Sequence, residues 1–326
     1  MLKFFDNYSA FLKKSTIFVK KPYHIHEEDF FSKQRKKKTM PPSSTLNSLN
    51  PVESILHIRA ANFSIENNAK TQANVLFKEN ILTYCIIGQD KEVQVLRSFK
   101  FDTRNLETEL EQFIQKDDIL QRFVGNIHIA FHDNQHSLIP KEFFESKELE
   151  AYYPSENFNP ATNKLLYDFI EPIGYYNVFA IPQAVYDYLH LHYPQAVFHC
   201  AFSCLLSNIL IEPLTPNQNQ IITHIGKNLM EVFVIKNKKL TFHNCFDYQT
   251  PEDFLYHLLN AAYIEKIDLE QNPVYFTGQV YKTGSLFQLA SQYIPDIQFG
   301  RRPTKYRYNQ ALKEHPSHLH YNLFSI

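Results

Sequence analysis

Residues 221–235, IITHIGKNLMEVFVI, are two short runs of β-branched and aromatic side chains parted by Gly226, Lys227 and Asn228. Runs of this kind around a brief polar break predict a β-hairpin. Residues 74–87, NVLFKENILTYCII, repeat the arrangement with Lys78, Glu79 and Asn80 as the break. Corresponding points Leu82 and Leu229 are 147 residues apart, and so are His128 and Tyr275 further along. The chain therefore reads as two halves on one plan.

In the first half, residues 88–90 turn the chain into an alternating run, Val93 to Phe101. Leu106, Leu110, Phe113 and Ile114 then have helical spacing within residues 105–120, and residues 126–131 read as a strand. In the second half a strand at 239–246 precedes Thr250, Pro251 and Asp253. These are a capping hydroxyl, a proline at the first helical position and an acid three residues after the cap, so a helix opens there. Its apolar stripe is Phe254, Leu255, Leu258, Leu259 and Ala262, and the strand Val274–Phe276 ends at Thr277 and Gly278.

Each half is thus β-β-β-α-β, a meander followed by a crossover helix that returns a parallel strand. One more strand is expected at 55–61. Between the halves, a strand pair at 164–170 and 175–181 leads to a helix from 183 to 192, a short strand at 196–199 and a helix at 201–211. The order predicts an α/β protein of two ribonuclease-H-like subdomains, residues 52–212 and 213–326, which is the layout of the actin-like ATPase fold. Analogy at this level licenses an architecture and not an activity.

Of the 326 residues, 44% are hydrophobic and 21% charged, values of a chain that folds. No run approaches the ~20 apolar residues of a membrane helix, and no apolar core of a secretory signal follows the start, so integral membrane association is not expected. Cys85, Cys200, Cys204 and Cys245 form no extracellular framework, and Cys200 and Cys204 share the i, i+4 spacing of one helix face. Free thiols in a reducing compartment, the cytoplasm, are the expectation. Residues 1–51 read as a basic, disordered leader and linker. Ten Lys or Arg against four acids fall in residues 1–40, which leaves 23 bases and 30 acids of the chain's 33 and 34 beyond. Such a leader suits nucleic acid or an anionic surface. A solvated tail, or a stretch ahead of a start at Met40, is the plainer reading.

Three segments resemble a bacterial family, the domain of unknown function numbered 3822. They are residues 178–189, VFAIPQAVYDYL, with His199 soon after; residues 250–257, TPEDFLYH; and residues 315–324, HPSHLHYNLF. The similarity covers residues 70–326, and what it implies is an actin-like ATPase fold of unassigned function, with no catalytic residues attached.

Working members of that fold hold ATP-Mg between the halves, on backbone N–H groups of two glycine-bearing hairpins and with an acid in each. Here the first hairpin has no glycine. The second has His224 where the acid should stand, then Gly226 and Asn228, and the loop expected to approach adenosine, at Thr277 and Gly278, has one glycine. The chain has only seven glycines in all, too few for a phosphate cradle. His224, Gly226, Asn228, Thr277 and Gly278 are therefore the positions of a degenerate cleft, and neither a catalytic residue nor a bound cofactor is expected.

His132 with Asp133 and His136, His190 with His192, and His315 with His318 and His320 lack an established metal-ligand spacing. Cys200 and Cys204 beside His199 lie in an apolar stretch, where a thiol is inert. Residues 301–308, RRPTKYRY, interleave bases with aromatics, as a nucleic-acid groove does, but a strand-like run pairing with acidic neighbours is the default reading. The expectation is a non-enzymatic scaffold that binds a protein partner. The alternative is a nucleotide-binding regulator or weak ATPase of the same fold, and the third reading is nucleic-acid association.

Overall fold

The computed structural model describes residues 53–326 apart from 62, 65–68, 79, 102–105, 133–134 and 155–157, so the leader and its expected disorder lie outside the described residues. Strands β1 (Glu53–Arg59), β2 (Gln72–Lys78), β3 (Ile81–Ile87) and β4 (Glu92–Lys100) are followed by helix α1 (Leu106–Lys116) and strand β5 (Asn126–Phe131). An insertion then supplies β6 (Ser137–Pro140), β7 (Asn163–Ile170), β8 (Tyr175–Pro182) and α2 (Gln183–His192), before β9 (Val197–Cys200) and α3 (Ala201–Ile211). The second half comprises β10 (Gln220–Ile225), β11 (Leu229–Lys236), β12 (Lys239–Asp247), α4 (Pro251–Ile264), β13 (Val274–Gly278), α5 (Ser285–Ala290) and β14 (Ile297–Phe299). A tail of β15 (Arg307–Tyr308), α6 (Gln310–Glu314) and α7 (Tyr321–Ser325) completes the described chain.

The duplication is present in the sheets. Strands β4-β3-β2-β5-β9 and β12-β11-β10-β13-β14 lie in equivalent orders, the first three of each antiparallel and the last two parallel to the centre. The starts of β2, β3 and β5, at 72, 81 and 126, match those of β10, β11 and β13 at 220, 229 and 274, each 148 residues on. Central strands β2 and β10 are buried on both faces, so their sequences are continuous apolar runs rather than alternating ones. The capping box of α4 is formed as its sequence predicts. Thr250 Oγ1 accepts from the Asp253 N–H at 3.1 Å, and the Asp253 carboxylate accepts from the Thr250 N–H at 3.0 Å.

The structure adds elements too short to carry a pattern. The stretch near 196–199 is β9, the edge strand beside β5 in the seven-stranded first sheet, and β14 is its counterpart in the second. Strand β6 joins β8 and β7 in a separate three-stranded sheet. The run 301–308 is strand only at Arg307 and Tyr308, which pair with β4. Cys200 ends β9 and caps α3, so it does not share a helix face with Cys204.

Residues 307–326 cross back to the first sheet. Leu323 and Phe324 are buried against Leu76, Cys85 and Leu96, and Asn208 Nδ2 donates to the Tyr321 hydroxyl at 3.1 Å. The buried amide of Asn74 donates to the carbonyls of Leu323 at 3.3 Å and Ile326 at 3.0 Å. Asn74→Ala strands the buried Leu323 carbonyl, while Ile326 O keeps donors from Tyr306 and Lys305, and it is expected to cost about 1–3 kcal/mol. Denaturant titration with limited proteolysis checks this, the tail being the first segment cut; unchanged stability would place the tail's anchor elsewhere. The largest core cluster joins the halves, with Ile222, Phe233 and Tyr275 packed with Phe202, Leu205 and Leu206. No described helix is long and apolar enough to cross a membrane.

Candidate functional site

The hairpin breaks follow the C-terminal ends of β2 and β10, the same ends from which β13 delivers Gly278. A cleft of about 330 Å³ opens beside them. Lys78, Ile81 and Thr83 line it from the first half, His224 and Gly278 from the second, and Asn322 from the tail. Of the five residues expected at the cleft, His224 and Gly278 line its wall, while Gly226, Asn228 and Thr277 do not.

All five have bonds inside the chain. Thr277 Oγ1 donates to the Thr223 carbonyl at 3.3 Å, so its contact with His224 Nδ1 at 3.0 Å has the imidazole N–H donating. Burial, and then the charge of Lys78, hold the His224 pKa well below the usual histidine range. That ring is buried and neutral, and its Nδ1–H is spent on Thr277. Gly226 N–H donates to Leu229 O at 2.7 Å, and Gly226 O accepts the Tyr248 hydroxyl at 2.5 Å. Asn228 O accepts from Tyr248 N–H at 3.0 Å.

Gly278 has φ +83°, and a Cβ there would stand 2.3 Å from Ile225 O. Glycine is required at this position by the close approach of β13 to β10. Its N–H donates to His318 O at 2.8 Å, and the next N–H, of Gln279, donates to Ile225 O at 2.7 Å. Across the gap between hairpins, Lys78 lays its ammonium 3.1 Å from where a Gly226 Cβ would be. One long side chain of the first hairpin therefore packs on the turn of the second.

Three residues at or near this junction escaped sequence reasoning. Glu231 faces His224 in the β10–β11 register, and its Oε1 lies 2.6 Å from Nε2 of His132, which follows β5, so the contact ties the halves together. Burial would push its carboxyl up, but the bond from His132 and the nearby histidines hold it below the ordinary carboxylate range. Its other oxygen is without a partner among the described residues. The signal was visible as the one acid inside LMEVFVIK. Asn322 is 2% exposed, and both polar atoms of its amide are without a partner among the described residues. His243 is buried against Phe202 and Phe233, and burial pushes its pKa down to about 3.

No group of three metal ligands occurs among the described residues. His136 bonds Asn177, His315 bonds His320, His318 bonds the Val280 carbonyl, and His190 and His192 lie flat on Tyr186 and Tyr188. Burial pushes the Cys85 thiol up to about 12 and raises those of Cys204 and Cys245, which leaves them poor nucleophiles. The bases of 301–308 are engaged internally. Arg302 donates to His315 O at 2.5 Å and stands over the Tyr308 ring, and Arg307 pairs with Asp90.

The model of a family described as "Protein of unknown function (DUF3822)" matches residues 60–297. No curated protein matches the chain. Among solved structures, one similar chain is a Bacteroides thetaiotaomicron protein with an actin-like ATPase fold and unknown function. It is 17% identical with a TM-score of 0.65, over 73% of this chain and 93% of that one. Another belongs to the PilM–PilN type IV pilus biogenesis complex, 12% identical with a TM-score of 0.57, over 79% of this chain and 97% of that one. With the paired β-β-β-α-β sheets, these likenesses show an actin-like ATPase fold.

Proposed function

We propose, from the premise that the chain belongs to the DUF3822 family of proteins of unknown function, that it is a non-catalytic scaffold which binds a protein partner. One observation carries the reading. The N–H groups of Gly226, Gly278 and Gln279, placed where a triphosphate and its adenosine would need donors, already bond Leu229, His318 and Ile225. A phosphate entering there would have to displace bonds that close the β10–β11 turn and tie β13 to the tail and to β10. No carboxylate stands at the described cleft wall to manage Mg²⁺, and Glu231 is buried against His132. The likeness to a chain solved in a complex, PilM with PilN, is consistent with a fold that serves as a docking body.

Purified protein titrated with Mg-ATP into the millimolar range is expected to show no rise in melting temperature and no phosphate release. A ligand present at a hundred times its Kd would add about 2.7 kcal/mol, so a saturable stabilisation with turnover would end this reading.

The unpartnered amide of Asn322 favours a second reading, a regulator that senses a small molecule in the cleft without hydrolysing it. Saturable adenine-nucleotide binding without phosphate release, weakened by Asn322→Leu, distinguishes it from the first.

A further inference from the structure

The inserted three-stranded sheet has no counterpart in the second half, where α5 is the helix between the parallel strands β13 and β14. Its outer face has five rings in one contact network. Phe144 stacks on Tyr176 at 3.9 Å between centroids and meets Tyr167 at 4.9 Å and Tyr152 at 5.9 Å, and Phe169 meets Tyr176 at 4.9 Å. None of the five is buried, and Tyr167 and Phe169 remain 44% and 43% exposed. Single exposed aromatics are ordinary on a surface. A contiguous apolar patch rimmed by charge marks an interaction site.

The rim is acidic. Exposed Glu142, Glu145, Glu148 and Glu171 each lie within four residues of one of these rings in the chain, and of the bases beside them Lys147 already pairs with Glu145 at 2.9 Å. Glu142 lies close enough to Tyr175, and Glu148 to Lys147, to influence their titration. The other neighbouring base, Lys141, stands over the Phe169 ring at 5.6 Å from its centroid. The patch thus already seats one cation on an aromatic face. Tyr167 and Phe169 are two residues apart on β7, about 7 Å along a strand, which is also the repeat of alternate side chains in an extended peptide.

We infer that this face is the docking surface for the partner, and that the partner presents an extended segment with Arg or Lys at alternate positions. The inference rests on the protein-binding reading above and gives that partner a place and a chemistry. Cations stand on Tyr167 and Phe169 while the rim carboxylates neutralise them. The same carboxylates repel phosphate, so a nucleic acid or an anionic membrane is the wrong occupant.

The probe is acetyl-Arg-Ser-Arg-Ser-Arg-amide, titrated calorimetrically into the full chain. Saturable binding is expected, weakened about ten-fold in the double variant Tyr167→Ser/Phe169→Ser, if each exposed cation–π contact is worth roughly a three-fold change. High salt should weaken binding several-fold, and a peptide with Glu in place of Arg should not bind. Should the double variant unfold, Glu142→Lys/Glu171→Lys keeps the rings and is expected to weaken binding comparably. No saturable binding, equal binding of the Glu peptide, or wild-type affinity in the folded variants would overturn the inference. So would a dimer that the double variant abolishes, which would make a second copy the occupant. Tighter peptide binding after deletion of residues 1–51 would likewise name the chain's own leader as occupant and overturn it. Phosphate release from Mg-ATP in the same preparation sinks the non-catalytic reading and leaves the peptide result standing. Peptide failure without turnover sinks the docking face alone.

Discussion

Gly278→Ala is expected to lower stability by about 3 kcal/mol or more, adding a left-handed backbone penalty of roughly 1–2 kcal/mol to an overpacking cost of similar size. The new methyl group would stand 2.3 Å from Ile225 O and 3.0 Å from Ile225 N, both main-chain atoms of the neighbouring strand that have no rotamer by which to escape. A built-in comparison exists at Gly174, which also has a positive φ, +69°, yet has nothing within 4 Å of where an added methyl group would stand. Gly174→Ala should therefore show the backbone penalty alone, and the difference between the two variants measures the clash. Thermal unfolding checks both, with a fall of roughly 4 °C or more for Gly278→Ala in a chain of this length. Equal behaviour of the two would mean that the strands approach each other less closely than described.

Acidification from pH 7 to pH 5 is expected to remove at least about 4 kcal/mol, roughly 2 kcal/mol for each of His224 and His243, with His320, which burial also pushes down to about 3, adding to the loss. The first two rings are buried and neutral in the fold, with pKa values held down, to about 3 for His243 and well below the usual value for His224. In the unfolded chain they titrate near 6.5. As pH falls below that value the unfolded state takes up protons first, so the stabilisation is complete above pH 6.5 and is lost down to the folded pKa. Groups facing them include Lys78, His132 and His136, which push in the same direction as burial, and Glu231, which opposes it. Glu231 itself, with a depressed pKa, adds a further loss below its unfolded value near 4.5. Urea midpoints across this range test the slope. His243→Phe, which leaves a ring between Phe202 and Phe233, should remove that residue's share of it; a pH-independent midpoint in the parent would contradict neutral burial.

The duplicated plan was legible because each hairpin is a long, doubly buried apolar run whose break recurs at a fixed interval. Thr250, Pro251 and Asp253 announced their helix because capping is local chemistry. Strands β6, β14 and β15, of four, three and two residues, hold too few side chains to show a period, and they exist through pairing with distant partners. The scarcity of glycines and acids at the expected cleft positions was legible, but the internal hydrogen bonds made there were not. Whether Gly226 and Gly278 offer their N–H groups outward depends on Leu229 and His318, and sequence gives no distance between them. Glu231 stood out as a lone acid in an apolar strand. Asn322 did not, because lacking a partner is a property of its surroundings.

The return of the tail to the first sheet also has a consequence for biosynthesis. Leu76, Cys85 and Leu96 leave the ribosome long before Leu323 and Phe324, which cover them. At ordinary translation speeds that interval is roughly ten seconds or more. Throughout it the nascent chain displays a sticky, unroofed sheet, so a holdase is expected to guard it, and truncated products should be cleared as aggregates or by proteases.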